Sequence, residues 1–120
     1  MKLQQIHFDS IKSSEKKFEL RVNDEKRKEI DIGDEIMFTS PSGETVTVEV
    51  TQVSEYTGFP EPIRKLGAET LLPNTGITNN EEAIEYYHAI CGGNGQTYEE
   101  AAKIHGTVLF ELLLLNNSPA

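Results

Sequence analysis

The sequence predicts an α+β domain: a small mixed β-barrel with short helices and a helical insertion before the last strand. Three observations carry that expectation. Period-two alternation fills much of the first half, capping-box spacings occur at 78–81 and 97–100, and an almost unbroken apolar run occupies 107–115. The predicted order is strand, helix, three strands, helices and a final strand.

Each element follows from local residues. Lys2–Phe8, with Leu3 and Ile6 as its apolar points, fits an edge strand or the start of a short helix, and Asp9 is a candidate N-cap for a turn through Ile11–Ser14. Lys17–Val22 alternates polar and apolar side chains, the pattern of a half-buried strand. That places Lys17, Glu19 and Arg21 on one face and Phe18, Leu20 and Val22 on the other. The charged stretch Asn23–Glu29 is a loop or single turn, Gly33-Asp34 is a turn, and Glu35–Thr39 is a strand. Pro41-Ser42-Gly43 marks a hairpin loop before Thr45–Val53, where Val46, Val48 and Val50 alternate with polar residues. In the second half, Pro60 or Pro62 opens a short helix within Phe59–Leu66, and Leu71–Gly76 is a loop. Thr78 and Glu81 have the spacing to cap a helix over Glu82–Ile90, Gly92–Gly95 interrupts it, and Thr97 with Glu100 starts another helix ending at Ile104. Thr107–Leu115 is a strand buried on both faces, and 116–120 is expected to fray as a flexible tail behind a domain of residues 1–115.

Composition narrows the function classes. At 120 residues the chain has the size of one domain. It has no apolar run of the ~18 residues that a membrane helix requires and no signal-peptide core. The single Cys91 cannot form an internal disulfide, which fits a cytoplasmic protein. The net charge of −9 is uneven: residues 1–31 carry eight Lys/Arg against seven Asp/Glu, while the remainder carries three against thirteen. Counterion release drives binding to long nucleic acid and needs a basic footprint. Only the first quarter of the chain could supply one, so long duplexes are excluded, while a short single strand or small ligand near that quarter is not.

Ser13–Arg27 followed by Ile30–Phe38 resembles the ASCH family. That family has a short helix, a turn bearing a Lys pair, a Glu-hydrophobic-Arg strand, a charged loop and a Gly-Asp-hydrophobic strand. The layout is similar over residues 3–115, including Tyr56–Phe59, the Tyr86-Tyr87-His88 helix and the closing strand. The resemblance implies a PUA-like barrel with a cleft beside Lys16–Arg21 and an RNA or nucleotide-like ligand. It also brings in a small bacterial branch that hydrolyses the amide of N4-acetylcytidine with a Lys, a Thr three residues later and a distant Glu. Lys16 matches the Lys, but Glu19 stands at the Thr position and the third falls near Gly76, where there is no carboxylate. The Gly that precedes the family's Lys pair is also replaced, by Ser14-Glu15. On these residues a binding role comes first; in an enzyme, Lys16 and Glu19 would be the catalytic pair.

The side chains allow a cradle. A guanidinium donates in a fork and a carboxylate accepts, so Arg21 and Glu19 together can orient a nucleobase edge, with Lys16 and Lys17 beside them. Tyr56, Tyr86, Tyr87 and His88 are candidates to stack on or hydrogen-bond the ligand, with Tyr87 or His88 lining the cleft, and of adjacent Tyr86 and Tyr87 one must turn into the core. The alternative is an ion pair that only decorates a solvated face. His7, His88, His105 and Cys91 lack metal-ligand spacing, so no metal and no cofactor is expected. Cys91 is expected to be a partly buried spectator, and Gly92–Thr97 lacks the Lys-Ser/Thr ending of a phosphate loop. An interaction domain whose acidic second half meets a basic partner is the remaining class. Oligomeric state is not legible.

Overall fold

Alternating segments become strands and capped segments become helices in the computed structural model, which describes residues 1–115; the expected tail at 116–120 lies outside them. In chain order the elements are α1 (Gln5–Lys12), β1 (Phe18–Val22), α2 (Glu25–Lys28), β2 (Glu35–Thr39), β3 (Thr45–Tyr56), α3 (Pro60–Leu66), α4 (Ala68–Leu71), α5 (Asn80–His88), α6 (Tyr98–His105) and β4 (Thr107–Leu114). The four strands form one curled antiparallel half-barrel in the order β1-β4-β3-β2. Helices α3–α6 are the expected insertion before the last strand.

The central place of β4 explains its continuous apolar sequence. Leu109 turns toward a core shared with Phe59, Ile63, Leu71, Leu72, Ala83 and Tyr87 of the helical insertion. Val108, Phe110 and Leu112 turn toward a second core with Phe8, Ile11, Phe38, Val46, Val48 and Val50. A bulge keeps β3 in phase with that second core: Val50 pairs with Leu112 and Gln52 with Glu111, leaving Thr51 as the extra residue. Val53 therefore returns to the inner side opposite Phe110, three residues after Val50 rather than two. Pairing with β4 also carries β3 to Tyr56, beyond the Val53 limit of its apolar alternation.

Three local expectations are corrected. The first helix spans Gln5–Lys12, with Gln4 at its N-cap making no side-chain cap, and Asp9 lies inside it, accepting from Gln5 Nε2 at 2.9 Å. Burial of one face, His7, Phe8, Ser10 and Ile11, sets this helix in place of the Asp9 cap. The cap of α5 is Asn79, whose Oδ1 accepts from the N–H groups of Glu81 and Glu82 at 2.8 and 3.2 Å, so the Thr78 spacing is incidental. Cys91 is exposed, paired through its backbone with Thr97 beyond the end of α5. By contrast, the Thr97–Glu100 capping box forms with both reciprocal bonds.

Candidate functional site

Strand β1 is an edge of the sheet, and its polar residues do not face solvent. Glu19 pairs with Phe110 and Arg21 with Val108, so both side chains point to the inner side of the curled sheet. There α1 and the helical insertion cover them. The alternation that predicts a half-buried strand instead belongs to one buried on both faces, with charge on one of them. Glu19 is 5% exposed and Lys16, on the segment leading into β1, is 2% exposed.

These buried charges form a chain. Arg21 Nε donates to Glu19 Oε2 at 2.6 Å, and Lys16 Nζ lies 3.6 Å from Glu19 Oε1. Lys16 also donates to the Leu71 carbonyl at the end of α4, and Arg21 donates to the Lys2 carbonyl at 3.1 Å. Burial works to raise the Glu19 carboxyl, but Arg21 and Lys16 overcome it and hold it below its usual range, ionised at neutral pH. For Arg21, burial is outweighed by Glu19, and the guanidinium is held above its ordinary value. In Lys16, burial wins over Glu19 and pushes the ammonium down.

A cavity of ≈150 Å³ opens onto this chain, walled by Lys16, Glu19 and Arg21 on one side and by His7, Tyr86 and Tyr98 on the other. His7 comes from α1 and Tyr86 from α5; His7 Nε2 and the Tyr86 hydroxyl are 2.8 Å apart. The Tyr86 hydroxyl also donates to Gln4 Oε1 at 3.4 Å. Nδ1 of His7 is buried with no hydrogen-bond partner among the described residues. Burial, aided by Lys16, lowers the His7 pKa and keeps the imidazole neutral, while burial and Glu19 raise the Tyr86 hydroxyl. The cavity wall thus offers a carboxylate with open lone pairs and a guanidinium with spare N–H groups.

The family model for the ASCH domain matches residues 1–116. The chain belongs to the ASCH domain family. It is similar to the crystal structure of the hypothetical protein PH0355, with 32% identity over 96% of each chain and a TM-score of 0.78. The solution structure of protein PF0455 from Pyrococcus furiosus is also similar, at 34% identity over 97% of this chain and 96% of that one, with a TM-score of 0.71. No curated protein matches.

Of the residues singled out in the sequence, Lys16, Glu19, Arg21, Tyr86 and Tyr87 line one cavity of this ASCH domain. Tyr87 is the tyrosine that turns into the core, stacked on Phe59 at 5.2 Å between ring centroids. Lys17 does not join them: it is exposed outside the cavity, because it precedes β1 and does not continue the strand's alternation. Tyr56 sits at the far end of β3 under Lys65, whose Nζ is 5.8 Å from the ring centre. His88 turns toward α6, with Nδ1 3.5 Å from Glu99 Oε2 and its ring edge-on to Phe59. The position near Gly76 lines a separate surface depression with Pro73 and Asn74. His7, Gln4 and Tyr98 are wall residues that the sequence reading does not place there. His7 and Tyr86 are 79 residues apart, and no local spacing reports such a contact. The sequence signal was indirect: one member of the Tyr86-Tyr87 pair had to point away from the core.

Proposed function

We propose that this ASCH domain binds a nucleotide-like ligand, alone or within single-stranded RNA, with one base in the cavity beside β1. The observation behind this reading is a ≈150 Å³ cavity whose wall carries a buried Lys16–Glu19–Arg21 chain with unused hydrogen-bonding capacity. A cavity of about this volume in a protein core holds a single benzene-sized ring. The fit is therefore to a pyrimidine, with Tyr86 and Tyr98 in the wall to supply aromatic contact and Arg21 and Glu19 to supply polar partners. Apolar ligands are disfavoured, since they would cover the ionised Glu19 and Arg21 side chains of the wall without offering them hydrogen-bond partners.

The test is an amide-resolved NMR titration with ribonucleosides, their monophosphates and short single-stranded RNAs. Shifts centred on His7, Lys16–Arg21 and Tyr86 are expected, larger for pyrimidines than for purines. Arg21→Lys keeps a cation beside Glu19 but removes the fork, and should weaken binding about tenfold, the worth of one good hydrogen bond. Unchanged affinity in that variant, or silence across the panel, overturns the reading.

One arrangement favours a second reading, hydrolysis of an acylated nucleoside: Lys16 is buried in the cavity wall with Nζ 3.6 Å from Glu19 Oε1, and burial pushes its ammonium down. Incubation with N4-acetylcytidine at high enzyme concentration decides it, with release of acetate and cytidine as the expected products and their absence as refutation.

A further inference from the structure

Beside the cavity runs a second, larger depression of ≈620 Å³, and Lys2, Arg21 and Tyr98 belong to the walls of both. Its wall carries four permanent cations, Lys2, Arg21, Lys26 and Arg27, against one carboxylate, Asp24. The chain as a whole has 20 acidic and 11 basic side chains, so this concentration runs opposite to its composition. Asp24 is already engaged: one oxygen accepts from the Arg27 backbone N–H at 3.1 Å as the cap of α2, and the other accepts from Arg27 Nη1 at 3.0 Å. Arg27 Nε is buried and has no hydrogen-bond partner among the described residues. Lys2 and Lys26 are exposed and make no ion pair among the described residues. Arg21 is paired with Glu19 and Arg27 with Asp24, so Lys2 and Lys26 supply the uncompensated positive charge of the groove. That charge attracts an anion, and guanidinium groups beside it match phosphate oxygens in particular.

We propose that this groove holds a phosphate covalently attached to the base in the neighbouring cavity, so that the ligand is a nucleotide and not a free nucleoside. The proposal rests on the cavity reading above, and Arg21 is the hinge between the two: it faces Glu19 in the cavity and forms part of the groove wall. Lys26 and Arg27 meet the phosphate, and Gly92–Asn94, which also line the groove, carry no charge.

The experiment is calorimetric titration with cytidine, cytidine 5′-monophosphate, cytidine 3′-monophosphate and the dinucleotide CpC, at low and at physiological salt. One of the monophosphates is expected to bind at least tenfold tighter than cytidine at low salt, with a smaller advantage as salt rises. Tighter binding of CpC than of either monophosphate would assign the groove to a strand backbone; equal binding would assign it to a terminal phosphate. In Lys26→Ala and in Arg27→Ala the ratio of nucleotide to nucleoside affinity should collapse toward one. Lys26→Ala alters only an exposed side chain, so it reports even where the loss of Arg27 disturbs α2. Equal affinity for cytidine and both monophosphates overturns this proposal alone, as does an unchanged ratio in both variants. Failure of every compound to bind overturns the cavity reading and this one with it.

Discussion

Glu19 is the residue on which the buried charges depend, since it is the only carboxylate in the chain of Lys16, Glu19 and Arg21. Glu19→Gln leaves two cations buried without a counter-charge, and a loss of about 3–5 kcal/mol in urea unfolding is expected. Lys16→Met should cost much less, because Glu19 keeps Arg21 and one desolvated charge is removed. A larger loss in Lys16→Met than in Glu19→Gln would show that Lys16, not Glu19, organises the site. The pH dependence follows from the same residues. Glu19 has a lowered folded-state pKa, so its stabilisation is complete above its unfolded value near 4.5 and disappears as pH falls through the lower folded value. His7 is also lowered, from 6.5, which means the unfolded chain binds that proton first and stability declines as pH drops below 6.5. Lys16, lowered from 10.5, acts in the alkaline range, where stability rises with pH toward 10.5. Unfolding midpoints at pH 7.5 and 5.5 should therefore differ in the parent protein, and His7→Gln should shrink that difference.

At the scale of elements, the junction of α6 and β4 is the tightest constraint. Gly106 has φ +72°, and a Cβ there would meet the Tyr56 carbonyl oxygen at 2.6 Å, too close for any real contact. Because that oxygen belongs to the β3 backbone, relief requires a strand to move. Gly33 offers the comparison: its φ is +94°, but a methyl group there would have nothing within 4 Å. Gly33→Ala should cost only the backbone term of about 1–2 kcal/mol. Gly106→Ala should add an overpacking penalty of about 1–3 kcal/mol. Equal losses in thermal melts of the two variants would refute the clash. The Thr97 capping box also acts at this scale, since it starts the helix that carries Tyr98 to the cavity wall. Thr97→Ala should cost about 1 kcal/mol by urea unfolding.

Across the whole molecule, β4 divides and joins two cores. Leu109 packs with the helical insertion, while Phe110 packs with α1, β2 and β3. The two halves should therefore unfold together, with fluorescence of the four tyrosines, all packed in or against the core of the helical insertion, and far-UV circular dichroism giving coincident transitions. Phe110→Ala is expected to cost about 3–5 kcal/mol and to shift both probes equally. Separate transitions in that variant would mean that the helical insertion folds independently of the sheet. Such a loss is large for a domain whose total stability is on the order of 5–15 kcal/mol.

Within this ASCH domain, the elements whose signals are local were legible in the sequence. Alternation at Thr45–Val53, the Thr97–Glu100 box and the apolar run at Thr107–Leu115 each depend on neighbours a few residues away, and each element formed. The same locality placed Lys17, Glu19 and Arg21 on one face, while Lys16 was added to them by the family resemblance. Burial of that group was decided by tertiary structure alone, because an edge strand with alternating charge looks identical whether its polar side meets water or a covering helix. Placement of His7 against Tyr86, exclusion of Lys17 and His88 from the cavity, and the gathering of Lys2, Arg21, Lys26 and Arg27 around one groove belong to the same category. These are contacts between segments far apart in the chain, set by how the helices close over the open side of the half-barrel, and side-chain spacing along the sequence carries no record of that closure.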